Sequence, residues 1–226
     1  GCPERPIFAG LKLAERETGK HQISADIGCH LFAINAPFDL GATTMGYGLG
    51  AASASALSSG RSDKRAVSIM GDGGFWHNGL TSGIGNAVFN KSDQVMVVVD
   101  NDYAAATGGQ DVLSSHAELD RRSTRHPIEK AARGLGITRA TTIDHTYDVQ
   151  KVKDTFLKAF RRKGSGPRTA GDAVGVPAQP AAQGEEGTRR QARARRAGGA
   201  RAVRCRSRDL HRRPRLHPDL RLPVAH

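Results

Sequence analysis

The chain has 226 residues, 38% of them apolar, which suits one ordinary domain with an appendage, and its three Cys leave one unpaired and exclude a disulfide-stapled scaffold. Its formal net charge of +12 is uneven: the stretch from Gly164 onward holds 14 Arg, no Lys and five acids, so +9 lies there and +3 in the first 163 residues. No apolar run approaches the roughly 20 residues of a membrane helix, and the opening Gly1-Cys-Pro-Glu-Arg-Pro6 carries neither an initiator Met nor a signal peptide.

In chain order, Pro6–Glu17 places Ile7, Phe8, Leu11, Leu13 and Ala14 at helical spacing. The small-residue segment Gly46–Leu57 suits a helix packed closely on a sheet. Arg65–Met70 is a short apolar run that reads as a buried parallel strand feeding the loop Gly71-Asp-Gly-Gly74, after which His77–Phe89 reads as a helix through Leu80, Ile84, Ala87 and Val88. Gln94–Asp100 is the cleanest strand and enters a polar loop at Asn101. Pro127–Leu135 has helical spacing with a Gly stop, Ile137–Ile143 is a modest strand, and Tyr147–Arg161 is an amphipathic helix. This alternation predicts an α/β fold, a parallel sheet covered by helices on both faces, over residues 1–167.

In such sheets ligands sit off the carboxyl ends of the strands. Asp72 follows one strand and Asn101 the next, 29 residues later. One carboxylate and one amide oxygen side by side suit a hard octahedral cation such as Mg²⁺, which takes its other ligands from water and phosphate. The surrounding glycines let backbone N–H groups approach a diphosphate, and the following helix points its positive end there. A lone Gly-Asp-Gly reads more readily as a tight turn with a side-chain cap; the spacing and the strand context reverse that preference in favour of the ligand site.

The pattern resembles the diphosphate-binding motif of thiamine diphosphate enzymes. Gly71-Asp-Gly-Gly-Phe-Trp-His-Asn-Gly79, Gly83-Ile-Gly-Asn-Ala-Val-Phe-Asn90, Asp100-Asn-Asp-Tyr103 and Ala106-Thr-Gly-Gly-Gln110 are similar to the cofactor domain of the indolepyruvate:ferredoxin oxidoreductases, a branch of the 2-oxoacid:ferredoxin oxidoreductases. So are Gly1-Cys-Pro-Glu-Arg-Pro6, Asp26-Ile-Gly-Cys29, Thr44-Met-Gly-Tyr-Gly-Leu-Gly50 and Asp144-His-Thr-Tyr-Asp148, in the family's order. The resemblance implies that Asp72 and Asn101 bind Mg²⁺ through side chains and Tyr103 through its backbone carbonyl. It implies Gly71, Gly73 and Gly74 along the diphosphate with Thr107 and Gly108 nearby, Met45 and Gly46 under the cofactor rings, and Asp26, Gly28 and Cys29 near the reacting centre. Asp102 stands where the family usually carries Gly or Ser. His77 reads either as a substrate or diphosphate contact or as a helix cap.

The implied activity is oxidative decarboxylation of an aryl 2-oxoacid to acyl-CoA, with electrons passing to ferredoxin; the cofactor does the carbon chemistry and the protein positions it. The glutamate that activates the aminopyrimidine belongs to a separate pyrimidine-binding domain or subunit, so the chain is expected to be half of an active site and inactive alone. The resemblance also implies Cys2 and Cys29 as ligands of a 4Fe–4S iron–sulfur cluster. A cluster needs four thiolates, and two buried small hydrophobes are the alternative reading. Coenzyme A, ferredoxin and the 2-oxoacid are the expected partners, in the cytoplasm and without a membrane. A non-redox thiamine diphosphate decarboxylase or synthase is the alternative enzyme.

Residues 168–226 contain no Lys, Ile, Phe, Tyr, Trp, Met or Asn. Their Arg, Ala, Gly and Pro composition supplies no core and predicts a disordered tail. It is also what GC-rich coding DNA yields out of frame: shifted by one base, the codons of Val174–Gln183 and His211–His226 permit family-like strings. A frameshift near Thr169 is therefore expected, and no nucleic-acid partner. The rival reading is a basic nucleic-acid-binding protein acting through Arg189–Arg196 and Arg201–Arg215.

Overall fold

The computed structural model of the chain describes residue 2, residues 4–59, 64–116 and 122–161, and the backbone of residues 172–177. All of these lie in one compact unit, Gly1–Ala181. Its frame is a six-stranded sheet in the order β2-β1-β3-β4-β8-β7. The strands are β1 (Ile23–Ala25), β2 (Thr43–Thr44), β3 (Ala66–Gly71), β4 (Gln94–Asp100), β7 (Ala140–Thr142) and β8 (Asp172–Pro177), every pairing parallel. A separate antiparallel pair joins β5 (Tyr103–Ala104) to β6 (Gln110–Asp111).

Alternation along β4 splits the core in two. Val95, Val97 and Val99 face one side, with Ile7, Phe8 and Leu11 of α1 (Glu4–Thr18) and Val152, Phe156 and Phe160 of α6 (Val149–Phe160). Met96 and Val98 face the other, with Ala51 of α2 (Gly50–Ser59), Phe75, Ile84 and Ala87, and Ile128 and Ala132 of α5 (Ile128–Gly134). Strands buried on both faces must be apolar at every position, which is why β4 reads as an unbroken apolar run. The expected parallel sheet covered on both faces is the observed fold. No helix among the described residues is long and apolar enough to cross a membrane.

Three features differ from the sequence expectation. β1 and β2 are three and two residues long, too short to show a period, and went unmarked. Gly71–Gly74 is not a loop: α3 (Asp72–Gly74) begins directly after Gly71, the last residue of β3, and continues through a wide π-type segment, Phe75–Gly85, into α4 (Asn86–Phe89). The helix therefore starts at Asp72, five residues before His77. Finally, the sheet reaches beyond residue 167, because β8 inserts between β4 and β7, pairing Val95–Asp100 with Asp172–Pro177. Asp172-Ala-Val-Gly-Val-Pro177 carries β-branched residues at alternate positions and a Pro at its end, a pattern a short strand accepts. The rest of the tail, with the expected frameshift and disorder, lies outside the described residues.

The chain runs from β1 outward to β2, then crosses back to β3 on the other side of β1. This reversal makes β1/β3 a switch point, where an open parallel sheet forms a crevice beyond its carboxyl edge.

Candidate cofactor site at the carboxyl edge

Asp72 is 2% exposed and starts the helix that leaves β3. Its Oδ1 accepts from Gly73 N (2.7 Å) and its Oδ2 from Asn101 N (3.1 Å), which fastens the end of β3 to the end of β4. The Asn101 side-chain amide reaches to 2.8 Å from the Tyr103 carbonyl oxygen and to 3.2 and 3.3 Å from the two Asp72 carboxylate oxygens. Turned over, the amide nitrogen donates to these oxygens and closes the site without an ion; with its oxygen inward the amide adds an acceptor that a cation would balance. The donor set (one carboxylate, one amide oxygen, one backbone carbonyl) is that of a hard divalent ion, so the residues present fit Mg²⁺.

The electrostatics point the same way. Burial and the neighbouring Asp100 carboxylate push the Asp72 carboxyl up to about 8, against the hydrogen bonds from Gly73 and Asn101. Asp100 is raised mainly by its own burial. Without a cation the two acids hold a proton between them, and a bound cation takes the proton's place. The folded chain therefore keeps a proton that the unfolded chain releases near the ordinary carboxyl value of 3.8, so cation-free stability falls as pH rises from about 4 to about 8. Thermal melting without divalent ions should drop by several degrees between pH 6 and pH 8.5, and Asp100→Asn should flatten that slope. Parallel slopes for the two proteins would refute the shared proton.

On the β1 side, Asp26 is fully buried. Its Oδ1 engages His30 Nε2 and its Oδ2 accepts from Gly48 N at 2.7 Å. Gly74 packs against that same oxygen, leaving no room for a Cβ. Asp26, expected near the reacting centre, ties the 45–50 turn to the first turn of the helix. His30, 3% exposed, and Glu4, 6% exposed, were not marked by the sequence. Glu4 Oε2 has no hydrogen-bond partner among the described residues. Burial raises the Glu4 carboxyl, with His30 opposing and Asp26 adding to the rise. Glu4 lies in the Gly1–Pro6 string, which assigns it no role, and His30 lies in none; each owes its position to strand order rather than to spacing.

A narrow slot runs between the two sides. Gly28 and Cys29 line it together with Gly71, Asp72, Gly73, Gly74, Asn101 and Tyr103, so most of the expected site residues meet there. Tyr47 and Ala104–Ala106 also line it and were not foreseen. Met45 and Gly46 lie in the preceding turn, outside the slot wall; Met45 is 49% exposed. Thr107 faces an adjoining cavity of about 640 Å³ with Tyr47, Trp76 and His77, and Gly108 lines neither space. The His77 ring packs on Tyr47 at 5.2 Å, which makes it a prop for that ring rather than a wall of the slot. Trp76 Nε1 donates to Ser114 Oγ (3.1 Å), which donates to Asp100 (3.3 Å), so the indole supports the acid pair from behind. Asp102 has φ 76°, the left-handed conformation that Asp tolerates better than most residues.

Cys2 and Cys29 are both exposed free thiols. Partial burial, then Glu4 and Cys2, raise the Cys29 thiol, which is the reverse of an activated nucleophile. Among the described residues no three His, Cys, Asp or Glu side chains gather as a metal-binding group, so these two thiols supply at most half of a cluster.

A parallel sheet with a Gly-Asp-Gly helix start on one strand and an Asn loop on the next defines a diphosphate-binding domain. Residues 17–168 match the thiamine pyrophosphate enzyme, C-terminal TPP-binding domain family, more than half of the chain, and the chain belongs to that family. It is 29% identical over 176 residues to the indolepyruvate oxidoreductase subunit IorA of Pyrococcus horikoshii, covering 72% of this chain and 26% of that one. To the subunit of the same name from Methanothermobacter marburgensis it is 27% identical over 168 residues, covering 72% and 27%. The chain thus spans about a quarter of the length of these relatives. Its fold superposes on a 2-oxoglutarate:ferredoxin oxidoreductase from Magnetococcus marinus with a TM-score of 0.66 at 19% identity, over 79% of this chain and 62% of the other.

Proposed function

We propose that the chain supplies the Mg²⁺- and diphosphate-binding half of a thiamine diphosphate-dependent 2-oxoacid:ferredoxin oxidoreductase, acting on an aryl 2-oxoacid of the indolepyruvate type. The observation that carries this is the meeting of the Asp72 carboxylate, the Asn101 amide and the Tyr103 carbonyl at two adjacent strand ends. Asp72, Asn101 and the Tyr103 carbonyl would hold Mg²⁺, while Gly71, Gly73 and Gly74 would admit the diphosphate to the helix start. When bound, thiamine diphosphate supplies the carbanion chemistry of 2-oxoacid decarboxylation. Asp26, through Gly48 and against Gly74, keeps the helix start and the 45–50 turn in register with each other.

The carboxylate that activates the aminopyrimidine comes from a pyrimidine-binding domain on another polypeptide or segment. Ile27, Phe32 and Met45, apolar and between 45 and 65% exposed, lie on the segments that flank the slot, where such a domain would cover them. Cys2 and Cys29 would contribute two cluster thiolates, with the remainder from elsewhere. Ferredoxin accepts the electrons, coenzyme A the acyl group, and the enzyme acts in the cytoplasm.

The test is co-assembly with the polypeptide that carries the pyrimidine-binding domain, in the presence of Mg²⁺ and thiamine diphosphate. Indolepyruvate with coenzyme A should then reduce a viologen dye, and 2-oxoglutarate should do so more weakly. Aldehyde release without dye reduction would make it a non-redox decarboxylase. Failure of the chain to bind thiamine diphosphate at all would remove the reading.

A further inference from the structure

We propose that Tyr47 is a cofactor-contacting residue whose hydroxyl donates a hydrogen bond to a diphosphate oxygen. This rests on the reading of the slot as the diphosphate site and adds a side-chain donor beside the glycines at the helix start. Tyr47 borders both the slot and the adjoining cavity of about 640 Å³. Its Oη lies directly over Gly73, where a Cβ would be only 2.1 Å from it and 2.8 Å from the Ala104 Cβ. The hydroxyl thus stands between the two loops that approach the cation oxygens, above the first turn of the helix. Among the described residues it has no hydrogen-bond partner, while its ring is held by His77 at 5.2 Å.

A diphosphate offers only acceptors, and a phenol keeps its proton at neutral pH, so the pairing has one direction, from tyrosine to phosphate. The ring reaches the site because Gly48 turns the chain at φ 78° immediately after it, and Asp26 fixes that turn through the Gly48 N–H. Gly73 has to be glycine for the same reason: a methyl group there would occupy the space of the hydroxyl.

The experiment uses Tyr47→Phe in the full chain, with binding of thiamine diphosphate and of inorganic pyrophosphate, each with Mg²⁺, followed by calorimetry. The substitution removes one O–H and keeps the ring contact, so the melting temperature should stay within about two degrees of wild type. A hydrogen bond to a charged acceptor predicts a loss of about 10- to 100-fold in affinity, equal for both ligands. Unchanged or tighter binding by Tyr47→Phe would overturn the assignment. So would a loss confined to thiamine diphosphate, which would place the contact on the heterocycle. If wild type binds neither ligand, the cofactor reading itself fails and this assignment with it; if wild type binds and Asp72→Asn does not, only the Tyr47 comparison decides.

Discussion

Asp72→Asn should abolish Mg²⁺-dependent thiamine diphosphate binding, by about 100-fold or more, while making the cation-free protein more stable. The two effects have one cause. Asp72 is the sole carboxylate among the converging oxygens, and a hard cation with few protein ligands depends on that charge. The amide keeps only one oxygen, so one of the hydrogen bonds from Gly73 N and Asn101 N is retained and the other is lost, which offsets part of the gain in stability. Losing the charge also removes the cost of burial and the repulsion from Asp100, which together push the Asp72 carboxyl up to about 8. A merely structural aspartate would show the opposite pair, weaker folding and intact binding. Calorimetric titration beside a thermal melt reads both, and retained Mg²⁺-dependent affinity in the variant would dismiss the metal assignment.

Gly48→Ala carries the second large effect, this time on stability. Gly48 has φ 78°, and a Cβ there would meet Gly74 O at 2.5 Å and Gly79 N at 2.6 Å, both backbone atoms of the cofactor helix. Neither can retreat, because Gly74 is pressed against the Asp26 carboxylate on its other side. The left-handed conformation costs about 1 kcal/mol for alanine, and overpacking against fixed backbone about 2 kcal/mol more. The sum, about 3 kcal/mol, corresponds to a fall of roughly 10 °C in Tm for a domain of this size. Gly109 is the control: φ is 74°, yet nothing lies within 4 Å of the position of its Cβ, so Gly109→Ala should cost only the strain. Equal melting losses for the two variants would mean that the close packing at Gly48 is not what the position requires.

The sequence alone determined the frame and the juxtaposition of Asp72 with Asn101. β3 and β4 are nearly continuous apolar runs, Ser68 apart within β3, because both faces are covered, and α1 and α6 carry their buried residues at helical spacing. Both signals lie within a single element, where side-chain period and burial are local properties. Asp72 and Asn101 were legible for a related reason: each sits at the end of a long, unmistakable strand, so adjacency of the strands made adjacency of the residues.

Tertiary structure alone decided the rest. Asp26 follows a three-residue strand, too short for a pattern, and became an anchor only when sheet order set β1 beside β3. Glu4, His30 and Tyr47 come from a helix start, a short 3-10 helix and a turn, and none shares a spacing with the glycine motif. The helix start at Asp72, expected at His77, was hidden because glycines have poor helical propensity, and the strand end and the surrounding packing overrode it. A local pattern records what one element buries. Which elements meet at the carboxyl edge is a matter of crossover order, and only the assembled sheet expresses that.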